Sequence, residues 1–281
     1  MIIYGILQKG ANMDMILIKE NEISVEHLSE AITTSKNHCH DCYEILYVAS
    51  GEGKYIVEGR EFDLYGRTLV LIRPLAYHTM RVDSPTTFDA YVLRFSQNML
   101  SGETLSMFRR LIDGDENGRY FTPDVISDAL ISAIDRFESA GKLPNLERDA
   151  YCRTLLSEII ILLSASSGEK MTFSDDELGA RAMRYLNSNI EKNVSLDKLA
   201  GRFFVSKFHL CRAFKKYSGT SVHSYINHKR ITYAKQLIES GETAQSAAFR
   251  VGFGDYSAFY RAYVKIIGHS PRAEYIGGEN K

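Results

Sequence analysis

The sequence predicts a two-domain α+β protein, in which an N-terminal β-barrel with following helices precedes an all-α C-terminal domain. Its 281 residues suit two domains at about 150 residues each. Short segments rich in Tyr, Val, Ile and Leu, separated by glycines, fill residues 38–95, and helical periodicity follows them. We place the barrel at 1–105, a helical linker suited to dimerisation at 106–174, and the all-α domain at 175–281.

The composition excludes several classes of protein. With 44% apolar and 25% charged residues, the chain is neither disordered nor collagen-like. No apolar stretch approaches the roughly 18 to 20 residues of a membrane-spanning helix, and residues 1–7 are too short for the apolar region of a signal peptide. Four unevenly spaced cysteines fit a reducing compartment. We therefore expect a cytoplasmic protein that does not bind membranes.

Charge is distributed unequally along the chain. Residues 1–177 contain 17 Lys and Arg against 28 Asp and Glu, whereas residues 178–281 contain 17 against 7. The net charges are therefore −11 and +10, which together give the −1 of the whole chain. A basic segment attached to an acidic body is typical of a nucleic-acid-binding module on a sensor or enzyme domain. The alternative is a chance asymmetry among solvated surface charges.

The N-terminal domain begins with strand-like segments. Glu58-Gly59 lies between two apolar runs, where glycine can supply the positive φ that a tight hairpin turn needs. Consecutive strands of this kind pack as a small barrel or sandwich. After Phe95 the spacing predicts two helices. The second, around 155–163, is apolar over much of its circumference, so it is buried against the barrel or paired with its copy in another subunit.

The C-terminal domain contains an internal repeat that appears when the sequence is aligned with itself at an offset of 49 residues. The offset aligns Leu210 with Phe259, Arg212 with Arg261, Ala213 with Ala262 and Gly219 with Gly268. Ser206 and Asp255, both good helix N-caps, also coincide. A further short helical segment precedes each cap. The sequence therefore predicts two helix-turn-helix units in tandem.

Each repeated helix has an apolar face and an outer face. On the outer face, Arg212 and Arg261 are placed to donate paired hydrogen bonds to guanine in the major groove of DNA. The lysines expected to contact phosphates, which adds affinity but little discrimination, are Lys207, Lys215, Lys216 and Lys265. Two such helices can enter successive major grooves, about 34 Å apart. The alternative is an ordinary helical bundle with solvated basic faces.

Several separated motifs resemble the AraC/XylS family of bacterial transcription regulators. They are Ser206-Lys-Phe-His-Leu-Cys-Arg-Ala-Phe-Lys-Lys, Val251-Gly-Phe, Ser257-Ala-Phe and Gly268-His-Ser-Pro, and the likeness spans residues 176–276. The resemblance implies a seven-helix DNA-binding domain, with promoter DNA and RNA polymerase as partners and activation as the commoner outcome. The expected DNA-contacting residues are Lys207, Phe208, Cys211, Arg212, Lys215 and Lys216 in the first unit and Tyr256, Ser257, Tyr260, Arg261 and Lys265 in the second.

The N-terminal domain contains a set of spaced histidines, glycines and a carboxylate. His38, His40 and Glu44 share one parity, so they lie on one face if this segment is a regular strand. The pattern continues with Gly51, Gly66, Pro74 and His78, and residues 25–96 thereby resemble the two motifs of a cupin barrel. Three imidazoles and a carboxylate can hold a divalent transition metal such as Zn, Ni, Mn or Fe.

Three interpretations of these residues remain open. In the first, His38, His40, Glu44 and His78 bind a metal. In the second, the same groups line a dry pocket and hydrogen-bond the hydroxyls of a small molecule, since AraC-type sensor domains resemble metal-free cupins that bind sugars or other small molecules. In the third, the histidines are structural. The predicted ligand-binding residues are His38, His40, Glu44, Tyr55, His78 and Tyr91.

The sequence thus predicts a DNA-binding transcriptional regulator that acts as a homodimer and responds to a small-molecule effector, with carbohydrates as one class. It requires no cofactor in this interpretation. The alternative is a metal-dependent cupin enzyme, a dioxygenase or an isomerase. The sequence contains no phosphate-binding loop, nucleophile elbow or Ser/His/Asp order, so we do not expect an enzyme.

Overall fold

The computed structural model describes residues 12–18, 23–29, 35, 37–83, 87–114, 117–171, 177–192 and 194–273. The chain divides into two compact units. Unit 1 comprises Met1–Lys36, Cys42–Val57 and Glu61–Thr172, and unit 2 comprises Asn37–Asp41, Glu58–Arg60 and Phe173–Lys281. The domain boundary predicted between 174 and 175 lies outside the described residues.

Ten strands belong to the described part of the N-terminal half. They are β1 (Asn12–Ile18), β2 (Ile23–Ser29), β3 (Tyr43–Ser50), β4 (Gly53–Val57), β5 (Arg60–Leu64), β6 (Thr68–Ile72), β7 (His78–Val82), β8 (Asp89–Phe95), β9 (Gly118–Phe121) and β10 (Glu169–Lys170). Seven form a sheet in the order β1-β2-β8-β3-β6-β9-β10, and three form a second sheet in the order β5-β4-β7. The β2–β8, β3–β8 and β3–β6 pairs are antiparallel.

The seven-stranded sheet carries apolar side chains on both of its faces. Successive side chains of a strand point to opposite faces, so one strand contributes to both. On β3, Ile45 and Tyr47 join the apolar cluster that includes the helices of unit 1. Leu46 and Val48 join a second cluster, which contains side chains of both sheets. We call the face that carries Leu46 and Val48 the inner face. Burial of both faces explains why β3 reads as an almost continuous apolar run.

The α-helices in the described residues of unit 1 are α1 (Gly102–Leu111), α2 (Asp128–Ala140) and α3 (Asn145–Ser164). Short 3-10 turns occupy Gln97–Met99 and Pro123–Val125. Most apolar side chains of α3 are buried in the same cluster as those of the sheet, α1 and α2, whereas Leu146 and Ile161 are exposed. β9 and β10 pair within the seven-stranded sheet. The segment predicted as a linker is therefore, up to residue 171, an integral part of unit 1.

The predicted hairpin turn is confirmed. β4 ends at Val57 and β5 begins at Arg60, with Glu58 and Gly59 between them at φ values of 48° and 81°. Two successive positive φ angles are those of a type I′ turn, whose twist matches that of the flanking strands. Glycine adopts this conformation without steric cost.

Unit 2 is helical. Its helices in the described residues are α4 (Leu178–Asn187), α5 (Leu196–Arg202), α6 (Lys207–Ser218), α7 (Val222–Glu239), α8 (Ala244–Arg250) and α9 (Tyr256–Ile267). α5 with α6 and α8 with α9 form the two helix-turn-helix units, and α7 connects them. Gly179 permits α4 to approach α6 closely, because a Cβ there would lie 2.4 Å from Tyr217 Cβ.

The predicted fold class is confirmed: a β-rich N-terminal part with following helices precedes an all-α tandem helix-turn-helix region. Each half has its own apolar core. None of the helices in the described ranges has both the length and the apolarity to cross a lipid bilayer.

Candidate functional site

The first candidate DNA-reading helix is α6. Ser206 caps its start, since its Oγ accepts a hydrogen bond from the backbone N–H of His209 at 3.2 Å, and Gly219 ends it with a φ of 71°. Leu210 and Phe214 are buried on one side. On the other side, Lys207, Phe208, Arg212, Lys215 and Lys216 are exposed and Cys211 is half-buried.

The second candidate reading helix, α9, repeats this arrangement. Asp255 caps it by accepting a hydrogen bond from the backbone N–H of Ala258 at 2.7 Å, and Gly268 ends it with a φ of 92°. Phe259 and Tyr263 are buried. The predicted contact residues Tyr256, Ser257, Tyr260, Arg261 and Lys265 are all exposed.

These exposed faces suit the major groove chemically. Both Arg212 and Arg261 are exposed, and such guanidinium groups can donate two parallel hydrogen bonds to guanine. Phe208 has 77% of its surface exposed, and an aromatic side chain can contact the methyl group of thymine. Lys207 Nζ lies 3.0 Å from Asp197 Oδ1. An exposed ion pair of this kind contributes little stability and leaves the lysine available for phosphate.

The two helix-turn-helix units differ in their turns, which span 203–206 in the first unit and 251–255 in the second. In each turn a backbone N–H donates to the carbonyl five residues earlier, from Val205 to Ala200 and from Phe253 to Ala248. The residue before each donor has a positive φ, 55° at Phe204 and 87° at Gly252. Phe204 is 96% exposed. The second turn accommodates one extra residue after this shared bend.

A second candidate site is a buried polar cluster on the inner face of unit 1. Arg94 Nε donates to Glu44 Oε2 at 2.8 Å, and Arg94 Nη1 donates to Glu26 Oε1 at 2.6 Å. Tyr55 donates its hydroxyl to Glu44 Oε1 at 2.6 Å. His78 Nε2 lies 3.7 Å from the same oxygen. We call these five residues the inner polar cluster.

The protonation of the inner polar cluster follows from these contacts. Burial and the nearby Glu44 carboxylate raise the pKa of Tyr55 well above its ordinary value, so its hydroxyl remains a donor. Burial opposes the charge of Arg94, but Glu44 and Glu26 outweigh it and raise the pKa of the guanidinium. His78 Nδ1 lies 2.8 Å from the carbonyl oxygen of Ala76. Because a carbonyl only accepts, Nδ1 carries the proton.

Strand pairing brings three members of the cluster together. Arg94 on β8 lies directly opposite Glu44 on β3, and Glu26 on β2 has the parity of Leu28, which faces the same core. Sequence reasoning identified Glu44, Tyr55 and His78 but missed Glu26 and Arg94. The available signal was a charged residue at an inward position of β2 and of β8.

The parity argument for His38 and His40 required a regular strand, and that condition is not met. β3 begins only at Tyr43, and a bend at Asp41 and Cys42 separates it from the histidines. A period of two holds only along a continuous strand, so parity does not carry across the bend. His38 and His40 lie close to each other, with ring centroids 5.9 Å apart, and their roles as ligand-binding residues stay predictions.

Tyr91 lies on the opposite face of the seven-stranded sheet from the inner polar cluster. Its ring stacks on His27, with centroids 4.4 Å apart, and its hydroxyl donates to Glu138 Oε1 at 2.9 Å. The structure thus brings Glu44, Tyr55 and His78 together but places Tyr91 elsewhere in unit 1.

Glu44 does not fit the metal-ligand role in its present contacts. Its Oε1 accepts from Tyr55 and its Oε2 accepts from Arg94. A carboxylate whose two oxygens are held by a phenol and a guanidinium would have to give up these bonds to coordinate a cation. The cluster offers instead an arrangement of charged, hydroxyl and imidazole groups suited to a polar organic molecule.

Comparison with protein families decides the assignment. The model described as AraC-like ligand binding domain matches residues 29–180, which is more than half of the chain. The chain belongs to the AraC family. A second model, described as a helix-turn-helix domain, matches residues 199–274 of this AraC-family protein. The inner polar cluster lies largely within the first match, and α6 and α9 lie within the second. The protein is therefore a DNA-binding transcriptional regulator with a ligand-binding domain.

Curated relatives of this AraC-family protein are transcriptional activators. It is 22% identical to the HTH-type transcriptional activator RhaS of Citrobacter koseri over 240 residues, covering 84% of this chain and 85% of the relative. It is 23% identical to the RhaS activator of Klebsiella pneumoniae over 241 residues, with the same coverage. Nothing in these comparisons favours the alternative of a metal-dependent enzyme, and no cofactor is evident for regulators of this type.

Solved structures similar to this AraC-family protein include ToxT from Vibrio cholerae O395, with a TM-score of 0.41 and 14% identity over 92% of this chain and 98% of that chain. The C-terminal domain of AraT, a response regulator from Geobacillus stearothermophilus, has a TM-score of 0.35 and 25% identity over 37% of this chain and 86% of that chain. Both TM-scores are low, so the functional assignment depends on the family models and on the residues themselves.

Proposed function

We propose that this AraC-family protein activates transcription in the cytoplasm, by binding promoter DNA through α6 and α9 and engaging RNA polymerase there. The observation that carries the proposal is the exposure of Arg212 and Arg261 at repeat-equivalent positions of two capped helices. The net charge of +10 over residues 178–281 supports it, because a basic module attracts the phosphate backbone. The proposed contact residues are the eleven predicted from the sequence.

We further propose that residues 1–105 bind a small-molecule effector, that 106–174 contribute to a homodimer, and that 175–281 bind DNA. The inner polar cluster supports an effector rich in hydroxyl groups, such as a carbohydrate. Tyr55 and Arg94 donate, whereas Glu26 and Glu44 accept, and a sugar hydroxyl can do both. Buried ion pairs seldom add net stability over apolar residues, so a binding role accounts for charges at this position.

The metal interpretation stays a prediction for His38, His40, Glu44 and His78. We favour the organic effector because Glu44 already holds Tyr55 and Arg94. Elemental analysis of purified protein tests this choice. Stoichiometric Zn, Ni, Mn or Fe that survives dialysis would support the metal interpretation and contradict ours.

The experiment that tests DNA recognition is footprinting on DNA upstream of the protein's own and neighbouring transcription units, followed by titrations of the protected fragment. We expect Arg212→Ala and Arg261→Ala each to weaken specific binding by about 1 to 3 kcal/mol and to relax preference at different base positions. Arg110→Ala on α1 removes an exposed arginine outside the helix-turn-helix units and serves as the control.

Two outcomes would contradict the proposal. If both variants bound the protected fragment and random DNA as the parent does, α6 and α9 would not be the reading helices. If the parent protected no specific sequence at all, the proposed function itself would fail.

A further inference from the structure

Helix α7, which connects the two helix-turn-helix units, has an unusual buried polar stripe. Tyr225, Lys229, Thr232 and Lys235 are all buried, and their spacing places them along one side of the helix. Lysines are rarely buried unless paired. One carboxylate that pairs with each lysine comes from a short segment of unit 2, Glu58–Arg60 for Lys229 and Asn37–Asp41 for Lys235.

Glu58 is the ion-pair partner of Lys229. Lys229 Nζ donates to Glu58 Oε1 at 2.5 Å, and the hydroxyl of Tyr225 donates to Glu58 Oε2 at 2.6 Å. Only 1% of the Glu58 side chain and 7% of the Lys229 side chain are exposed. Burial and the Glu58 charge raise the pKa of Tyr225 well above its ordinary value, so its hydroxyl stays a donor.

Asp41 is an ion-pair partner of Lys235. Lys235 Nζ donates to Asp41 Oδ2 and to Glu239 Oε1. Gln236 Nε2 donates to the backbone carbonyl of Asp41 at 3.0 Å. Burial opposes ionisation of Asp41, but Lys235 outweighs it and lowers the pKa of the carboxyl. Nearby, Cys39 Sγ lies 3.5 Å from Thr232 Oγ1.

The positions of these two carboxylates along the chain connect them to the inner polar cluster. Asp41 precedes Glu44 by three residues, and Glu58 follows Tyr55 by three residues. Glu44 and Tyr55 are held to each other by a hydrogen bond of 2.6 Å. Ile56 and Val57 of β4 lie between Tyr55 and Glu58, and Cys42 and Tyr43 lie between Asp41 and Glu44. Only two residues therefore separate each member of the cluster from the carboxylate that pairs with a lysine of α7.

We propose that the Glu58–Lys229 and Asp41–Lys235 pairs transmit the state of the inner polar cluster to α7, and so set the affinity for DNA. The proposal rests on the proposed function, because it assigns the regulation of that DNA-binding site. A ligand that engages Glu44 and Tyr55 shifts an equilibrium only through differential contacts in two states. Breaking or keeping buried ion pairs supplies such a difference, since Lys229 without Glu58 would lose the carboxylate that balances its buried charge, and Lys235 without Asp41 would keep only the less buried Glu239.

The test needs no effector, because Glu44→Gln perturbs the cluster directly. Operator affinity of the full chain is measured for the parent and for Glu44→Gln. The same comparison is made in a background in which both pairs are removed together, Asp41→Asn/Glu58→Gln/Lys229→Met/Lys235→Met. Removing both partners leaves no buried charge unpaired. The control background, Glu61→Gln/Asp63→Asn, neutralises two carboxylates of β5 that lie near the half-buried Lys54.

We expect Glu44→Gln to change the operator Kd at least fivefold in the parent and in the control background, and less than twofold when both pairs are removed. Hydrogen exchange of peptides from 225–239 provides a readout without DNA. Glu44→Gln should change their exchange in the parent but not in the background lacking both pairs.

An equal change in both backgrounds, or no change in the parent, would overturn the proposal. Failure of the proposed function has a different signature, because the parent would then bind no specific DNA while the exchange of α7 still responded to Glu44→Gln. If the variant lacking both pairs lost its helical circular dichroism, the Glu58→Gln/Lys229→Met variant would replace it. This variant removes one pair only, and Glu44→Gln should then change the hydrogen exchange of α7 by about half as much as in the parent.

Discussion

Phe204 and Gly252 occupy equivalent positions in the two helix-turn-helix units, and both have left-handed backbones, with φ values of 55° and 87°. Each precedes the residue whose N–H donates back to the helix before the turn. Glycine adopts this conformation without cost, whereas a residue with a Cβ pays about 1 to 2 kcal/mol. The first unit therefore retains a strained phenylalanine that is almost fully exposed.

Phe204→Gly should raise the free energy of unfolding by about 0.5 to 1 kcal/mol, because relief of the left-handed strain exceeds the extra entropy of glycine. Urea unfolding of the full chain, followed by helical circular dichroism, measures this. Gly252→Ala is the matched control and should destabilise, since the new Cβ would lie 2.8 Å from the carbonyl oxygen of Glu191. A loss of stability in Phe204→Gly would mean that the aromatic ring makes a stabilising contact.

Arg94→Met should destabilise the protein by about 3 to 5 kcal/mol, because it leaves Glu26 and Glu44 buried without their counter-charge. Adding Glu26→Gln and Glu44→Gln should recover part of the loss. Arg81→Met, which removes an exposed arginine paired with Asp83, should cost less than about 1 kcal/mol. Chemical denaturation compares the variants. Equal costs for the two arginines would contradict the contacts of the inner polar cluster.

The four cysteines should react with iodoacetamide in a defined order. Burial raises the pKa of Cys39 to about 11 and that of Cys152 to about 12, and the thiolate is the reactive form. Both should therefore resist alkylation at pH 8 until the protein unfolds, whereas the half-buried Cys42 and Cys211 should react in the folded state. Mass spectrometry of the labelled peptides identifies each site.

Operator DNA should slow the alkylation of Cys211, which lies beside Arg212 on α6, and leave that of Cys42 unchanged. The same labelling experiment with and without the DNA fragment measures the difference. Equal protection of Cys211 and Cys42 by random DNA would argue against sequence-specific DNA binding through α6.

Lys216→Ala should reduce the salt dependence of DNA binding without changing the preferred sequence. A lysine that neutralises one phosphate contributes about one unit to the slope of log K against log salt concentration. Titrations at several salt concentrations measure the slope. Lys142→Ala, at an exposed position between α2 and α3, is the control and should leave it unaltered. A change in base preference would instead assign Lys216 to the bases.

The cupin-type sensor was predicted less completely than the DNA-binding half. Glu44 and His78 were found because they belong to the cupin-type pattern, and Tyr55 was found as a tyrosine that could offer an aromatic and hydroxyl surface to a ligand. Glu26 and Arg94 were missed because their partners lie 68 and 50 residues away. The parity argument for His38 and His40 does not apply for a local reason, since a bend interrupts the strand on which it depended.

The sequence by itself determined the features that depend on residues a few positions apart. The capped helices of both helix-turn-helix units, the glycines that end them and the hairpin at Glu58 and Gly59 are of this kind, because a cap or a turn is satisfied within its own segment. Only the tertiary structure decided how buried charges are paired. Lys229 with Glu58 and Lys235 with Asp41 span 171 and 194 residues, and the partner of a buried charge is selected by the packing of distant elements, which no local pattern records.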